Sequence, residues 1–203
     1  MDSAIEKRRS IRKFSEKPLA RADIEDIIRS GILAPSSKNR QPWNFVVVQG
    51  AAKKNMLRSF AAGIAREESG APLLPESARH LAAAKHTVRI LERAPVVIFV
   101  LNALGTELLA ERSAEERIYQ ICNIQSVSAA VQNMILRATE KGIGSLWVCD
   151  IFFAYQELRG WLDTSGELLC AVAFGYSEEV PAARPRKALA DVTQWREVCA
   201  CEN

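Results

Sequence analysis

Histidine is almost missing from this 203-residue chain, which has only His80 and His86. A histidine-based triad or a His-rich metal centre is therefore not expected. The five cysteines, Cys122, Cys149, Cys170, Cys199 and Cys201, contain no CxxC pair. An odd count, with no such pair and no signal peptide, points to reduced thiols in the cytoplasm. Cys199 and Cys201 could bind a soft metal, but at a frayed chain end this is the weaker reading, and no metal is expected. Strong charge of one sign is also lacking. A net charge of +3 is too mild to argue for nucleic acid or an anionic membrane, and neither is expected as a partner. The longest uncharged run, Ile118 to Leu136, is nearly a membrane span in length. It carries Gln120, Asn123, Gln125, Gln132 and Asn133, which a lipid-facing helix would not tolerate. It reads as a helix buried on nearly all sides within protein. A dinucleotide fingerprint is missing too. Gly142-Ile143-Gly144-Ser145 has a helix before it and a strand after it, the reverse of what that motif requires, and a helix cap accounts for its glycines.

What is present is an ordinary globular composition, long enough for one domain with a full core. Residues Ser3 to Arg9 read as a short helix. The stripe Ile24, Ile27, Ile28 and Ile32 gives an amphipathic helix to about Leu33. Asn44 to Gln49 reads as a buried strand, and Ala52 to Glu68 and Ser77 to Arg93 as two helices around a Gly/Pro breaker. Pro95 to Leu101 is a second apolar strand. A less regular segment, Asn102 to Glu115, leads into the long helix, which ends near Lys141. Ser145 to Cys149, a helix through Glu157 and Leu162, and Glu167 to Tyr176 follow. Helices and strands mix throughout, so the class is α+β or α/β in one domain, residues 1–203.

Three constellations carry chemistry. Arg8-Arg9-Ser10-Ile11-Arg12 offers guanidinium forks and a hydroxyl, a good match for phosphate, although a basic helix end alone is usually a solvated face. The loop Ala34-Pro35-Ser36-Ser37-Lys38-Asn39-Arg40-Gln41-Pro42-Trp43 is bracketed by prolines and dense in donors. Arg184-Pro185-Arg186-Lys187 is a stiffened cationic segment in the polar tail. Together they are compatible with a small phosphorylated ligand, which they do not identify.

These motifs, with Ala130-Val131-Gln132-Asn133, Gly142-Ile143-Gly144-Ser145-Leu146-Trp147 and Gly175-Tyr176, resemble the nitroreductase family of FMN-dependent oxidoreductases. The motifs occur in the family's order across nearly the whole chain. The resemblance implies an α+β, three-layer α/β/α sandwich with a central, mostly antiparallel sheet. It also implies an intertwined homodimer with two FMN molecules at the interface. Arg8, Arg9, Ser10 and Arg12 would then hold the ribityl phosphate and pyrimidine edge, with Arg184 and Arg186 assisting. Pro35, Ser36, Ser37 and Asn39 would reach the other subunit's flavin, and backbone around Trp147, Val148 and Cys149 would line the ring. The tail, 181–203, would embrace the partner. Cys149-Asp150 departs from the glycines that many members carry at this place.

The family's chemistry implies hydride transfer from NAD(P)H to the flavin, then to a small-molecule acceptor such as a nitroaromatic, a quinone or an activated alkene. No protein side chain is expected to act as catalyst, and Cys149 is read as a buried strand thiol used in packing. Acceptor choice is expected to rest on mobile walls at Asn102 to Glu115 and Ala61 to Pro75. The alternatives are a flavin enzyme of other chemistry on the same fold, such as dehalogenation or flavin fragmentation, and a non-catalytic FMN carrier or sensor.

Overall fold

The computed structural model describes residues 3–69 and 72–196. Cys199 and Cys201, and the breaker residues Gly70 and Ala71, lie outside the described residues. Four strands form one antiparallel sheet in the order β1-β2-β4-β3: β1 (Trp43–Gln49), β2 (Val96–Asn102), β3 (Gly144–Val148) and β4 (Glu167–Gly175). Strand β2 is central and buried at every position, which is why its sequence is a continuous apolar run instead of an alternation. Its side chains still alternate between two cores. Val97, Phe99 and Leu101 face one, and Val96, Ile98 and Val100 face the other. A bulge where β4 meets β2, between Val100 and Leu101, shifts the register by one residue. That shift lets Leu168 and Ala171 share the first core while Cys170 joins the second.

Helices cover both faces. On the first lie α3 (Ala52–Glu68), α4 (Leu81–Arg93) and α6 (Tyr155–Leu162), which bring Met56, Phe60, Leu91 and Leu158. On the second lie α2 (Arg21–Ile32) and α5 (Ala114–Glu140), with Ile24, Ile27, Val127, Val131 and Met134. The three-layer α+β arrangement is the expected one. The remaining helices, α1 (Ala4–Lys7) and α7 (Leu189–Val192), are single turns. Two details differ from the sequence reading. Residues Pro75–His80 form a tighter 3-10 turn before α4 begins, so Ser77 to Arg93 is not one helix. Helix α5 is buried along one stripe only, from Asn123 through Val127, Ala130 and Met134 to Ala138. Ile118 and Ile121 on its outer side are 60% and 49% exposed. A single chain therefore leaves uncovered half of a helix whose composition suggested burial all round.

The turn after α3 is held from within. The Glu67 carboxylate accepts the backbone N–H groups of Leu73 (2.8 Å) and Leu74 (3.2 Å) and pairs with Arg66, which also reaches Glu157. Burial pushes this carboxyl up, but the Leu73 N–H, Arg66 and the Leu74 N–H together outweigh it and hold its pKa below the ordinary 4.5. With the folded value depressed, the stabilisation is complete above 4.5 and is lost as pH falls through the folded value. Glu67→Gln should therefore flatten the fall in urea stability below pH 4.5, while lowering stability at neutral pH by about 1–3 kcal/mol. An acid limb as steep as that of the natural chain would show that other carboxylates carry it.

Candidate functional site

The N-terminal segment is zipped along the far edge of the sheet. Ser10 bridges Ser145 of β3 in parallel, with the Ile11 N–H donating to the Ser145 carbonyl at 2.9 Å. Beyond it, Phe14 bridges Ser177, Ser15 N–H reaches the Tyr176 carbonyl, and Glu178 N–H reaches that of Lys13. The Glu179 carboxylate accepts the backbone N–H groups of Arg12 and Lys13. Two glycines permit this approach. A side chain at Gly144 would meet Ile11 Cγ1 at 2.8 Å, and one at Gly175 would meet Pro95 Cδ at 2.6 Å and Phe14 Cδ1 at 2.9 Å. Gly142, at φ 69°, is the left-handed residue that ends α5.

This pairing draws the two basic clusters together. Arg8, Arg9, Ser10 and Arg12 line one cavity of about 230 Å³ with Ala183, Arg184 and Arg186. Among the described residues no carboxylate pairs with any of these five guanidiniums. Glu6, the one acidic residue lining the cavity, is turned back to cap α1 by accepting from Ser3 N–H at 2.8 Å. Five cations without a counter-ion repel one another unless an anion joins them, so this donor set suits a phosphate.

A neighbouring cavity of about 420 Å³ shares Arg8, Ser10 and Arg186 and adds Trp147, Ser145 and Gln132. Trp147 and Ser145 stand on the same face of β3, two residues apart, so the edge of the sheet faces this space. Ser145 and Gln132 lie inside motifs of the sequence that give no sign of a site at either residue; Ser145 comes to this space on β3 and Gln132 on α5. Val148 points the other way into the first core, leaving only its backbone for this side. Cys149 is not a buried strand thiol. It follows β3 and is exposed, opening the 3-10 turn Asp150–Ala154. Protein packed against its sulfur, and then the Asp150 charge, push its thiol up from its ordinary value, so at neutral pH it is no thiolate nucleophile.

Pro35, Ser36, Ser37 and Asn39 line neither cavity. Their loop is instead held in an unusual shape: Lys38, Asn39 and Gln41 have φ of 52°, 53° and 47°. Left-handed backbone is uncommon outside glycine, and three such residues within four positions persist only where surroundings impose them. Here Ser36 Oγ accepts Gln41 N–H (3.1 Å), Ser37 N–H donates to Ser126 Oγ of α5 (3.2 Å), and the Pro42 carbonyl accepts from Ala103 N–H (2.6 Å). The structure thus brings six of the expected residues into one cationic hollow, adds Trp147 beside it, and sets the loop apart on α5.

A helix-clad antiparallel sheet with a cationic hollow at its edge defines an α+β protein with a candidate anion site. The nitroreductase family model matches residues 5–176, and the chain belongs to that family. A Bacillus subtilis protein named "Putative NAD(P)H nitroreductase YfhC" is 28% identical over 190 residues, covering 92% of this chain and 89% of that protein. The fold is similar to that of the FMN-dependent nitroreductase NfnB from Mycobacterium smegmatis, solved in complex with NADPH: TM-score 0.71, 19% identity, 96% of each chain covered. It is also similar to a BluB-like flavoprotein from Clostridium difficile: TM-score 0.74, 23% identity, 96% of this chain and 97% of that one.

Proposed function

We propose that this protein is a cytoplasmic FMN-dependent oxidoreductase that takes hydride from NADH or NADPH and reduces nitroaromatics, quinones or activated alkenes. The observation that carries this reading is the hollow of five guanidiniums, none paired with a described carboxylate, opening beside Trp147. Arg8 and Arg12, with Ser10, would hold the ribityl phosphate, and Arg184 and Arg186 would close over it. The edge of β3 from Ser145 to Cys149 would flank the ring with backbone groups. Bound there, the flavin supplies the hydride-accepting and hydride-donating chemistry. The chain's own part is to bind, to orient and to exclude water, and no side chain in the hollow is needed as an acid or base.

The site would be completed by a second copy. One chain leaves Ile118 and Ile121 of α5 uncovered, together with Val180 (fully exposed) just before the tail and Trp195 (78% exposed) within it. A homodimer built on α5, with residues 181–203 wrapped around the partner, would bury these side chains. It would also bring Pro35, Ser36, Ser37 and Asn39, which line neither cavity of their own subunit, to the partner's flavin.

Mixing the oxidised holoprotein anaerobically with NADH or NADPH should bleach the flavin absorbance within seconds, and a nitroaromatic or quinone should restore it. Flavin that stays oxidised with both donors would mark a carrier or sensor. A protein that binds no FMN at all would overturn both readings.

A further inference from the structure

A third cavity, of about 250 Å³, lies away from the basic hollow, between the strained loop, the segment after β2 and the first turns of α5. Its inner wall is a polar network buried at the end of the sheet. Glu167, 2% exposed, accepts from Gln120 Nε2 (2.6 Å) and Asn102 Nδ2 (3.4 Å) and lies 4.0 Å from Arg112. Arg112 spends its remaining donors on the carbonyls of Glu107, Leu108 and Ala110. Every member of this network is paired.

Asn123, on the same wall, is not. Its side chain is 3% exposed and lines the cavity, yet Oδ1 has no hydrogen-bond partner. Nδ2 makes no bond to a described residue either, but unlike Oδ1 it is not fully buried and keeps access to the cavity. A buried amide oxygen left without a donor costs stability, and such a group calls for an explanation. Arg40 also lines the cavity, with no ion pair among the described residues and its guanidinium 4.9 Å above the Tyr119 ring. Glu111 and Glu116, whose carboxylate caps α5 by accepting from Ser113 N–H, line the cavity with Arg40 and Arg112, so it balances charges of both signs and favours a neutral polar ligand over an anion.

We propose that this cavity recognises the edge of a planar primary amide, with Asn123 donating to its carbonyl and accepting from its N–H. The proposal rests on the functional reading above, under which the loop carrying Arg40 lies against the partner's flavin. Two sources share this chemistry: the carboxamide of a nicotinamide hydride donor, and an amide borne by the acceptor. Asn123 acts on binding and is a specificity residue, not a catalytic one.

Calorimetry on the oxidised holoprotein with benzamide and with acetophenone, which keeps the carbonyl and lacks the N–H, tests the pocket without turnover. Benzamide should bind about tenfold more tightly, and Asn123→Leu should remove that difference. The same substitution should leave the melting temperature unchanged or raise it, since it deletes an unsatisfied buried group. A tenfold rise in the KM of NADH in Asn123→Leu, with 4-nitroacetophenone unaffected, would identify the nicotinamide as source. Loss of discrimination between 4-nitrobenzamide and 4-nitroacetophenone, with NADH unaffected, would identify the acceptor. Equal binding of benzamide and acetophenone to the natural chain would overturn the proposal. So would a fall in melting temperature with the preference for benzamide retained, which would make Asn123 a structural residue. A holoprotein that NAD(P)H does not reduce would refute the functional reading while leaving the calorimetry intact as a test of the pocket.

Discussion

Replacing Arg8 and Arg12 together with alanine should yield a colourless protein whose affinity for FMN is weaker by about a thousandfold. Each guanidinium would contribute charge-assisted hydrogen bonds to a phosphate, and such bonds are worth roughly 1.5–3 kcal/mol apiece. Two of them make about 4 kcal/mol, which is some three decades in affinity. The choice of these two follows from what each arginine already does. Arg8 makes no side-chain hydrogen bond among the described residues, and Arg12 makes one, to the Ser10 carbonyl at 3.2 Å. Arg9 instead donates to the carbonyls of Glu6 and Arg8, and Arg186 to those of Arg184 and Pro185. Arg9→Ala should therefore loosen α1 and weaken FMN by less than the double change. Titration of flavin fluorescence measures both. The apoprotein's melting temperature should be the same in the double variant, because neither side chain holds a neighbouring element. A variant that purifies yellow with unchanged affinity would sink the phosphate assignment.

Much of the fold could be read from the order of residues, because its elements announce themselves locally. The bounds of α3 coincide with the expected Ala52 to Glu68, and the apolar runs that became β1, β2 and β4 are displaced by a residue at most at either end. What local pattern does not encode is partner choice. The sequence offers four apolar segments, but the order β1-β2-β4-β3 follows from how connections of different length pack on the sheet. Helix α5 shows the same gap differently. Its uncharged run signals burial on nearly all sides, yet the helix is buried along one stripe and Ile118 and Ile121 stay open on a single chain.

The candidate site was legible in its chemistry and illegible in its assembly. Arg8 to Arg12 and Arg184 to Arg186 stand out by charge, but they lie over 170 positions apart in the chain. Their meeting depends on backbone bonds between Ile11 and Ser145 and between Ser15 and Tyr176, which no side-chain pattern reveals. The loop's prolines suggested rigidity. The left-handed turn at Lys38, Asn39 and Gln41 could not be foreseen, because the usual signal for such backbone is glycine and the loop has none. Asn123 looked like one amide among several in a polar-dotted helix. Only the finding that its neighbours pair with Glu167 while it pairs with nothing sets it apart.

Gly63→Ala should destabilise the protein by about 2 kcal/mol or more, although local preference alone predicts the reverse. Gly63 lies in the interior of α3, where alanine is favoured over glycine by about 1 kcal/mol. Against this stands the packing of α3 on the turn Asp150–Ala154. A methyl at position 63 would collide with the Ala154 backbone and come within 2.8 Å of the Phe153 carbonyl oxygen. Backbone cannot rotate aside as a side chain does, so the helix and the turn must separate, and overpacking of this kind costs about 1–3 kcal/mol or more. The collision outweighs the propensity. At 203 residues this should lower the melting temperature by about 4–8 °C. The displaced turn also carries Asp150, which bonds Thr87, and follows directly on Cys149 at the end of β3, so FMN affinity should fall with stability. Gly160 in α6 is the control. Nothing lies within 4 Å of a Cβ placed there, so Gly160→Ala should gain up to about 1 kcal/mol from propensity alone. Thermal melts of the two variants side by side should move in opposite directions. Shifts of the same sign would mean that α3 does not pack this closely on the turn Asp150–Ala154, and that the edge of β3 is positioned by some other contact.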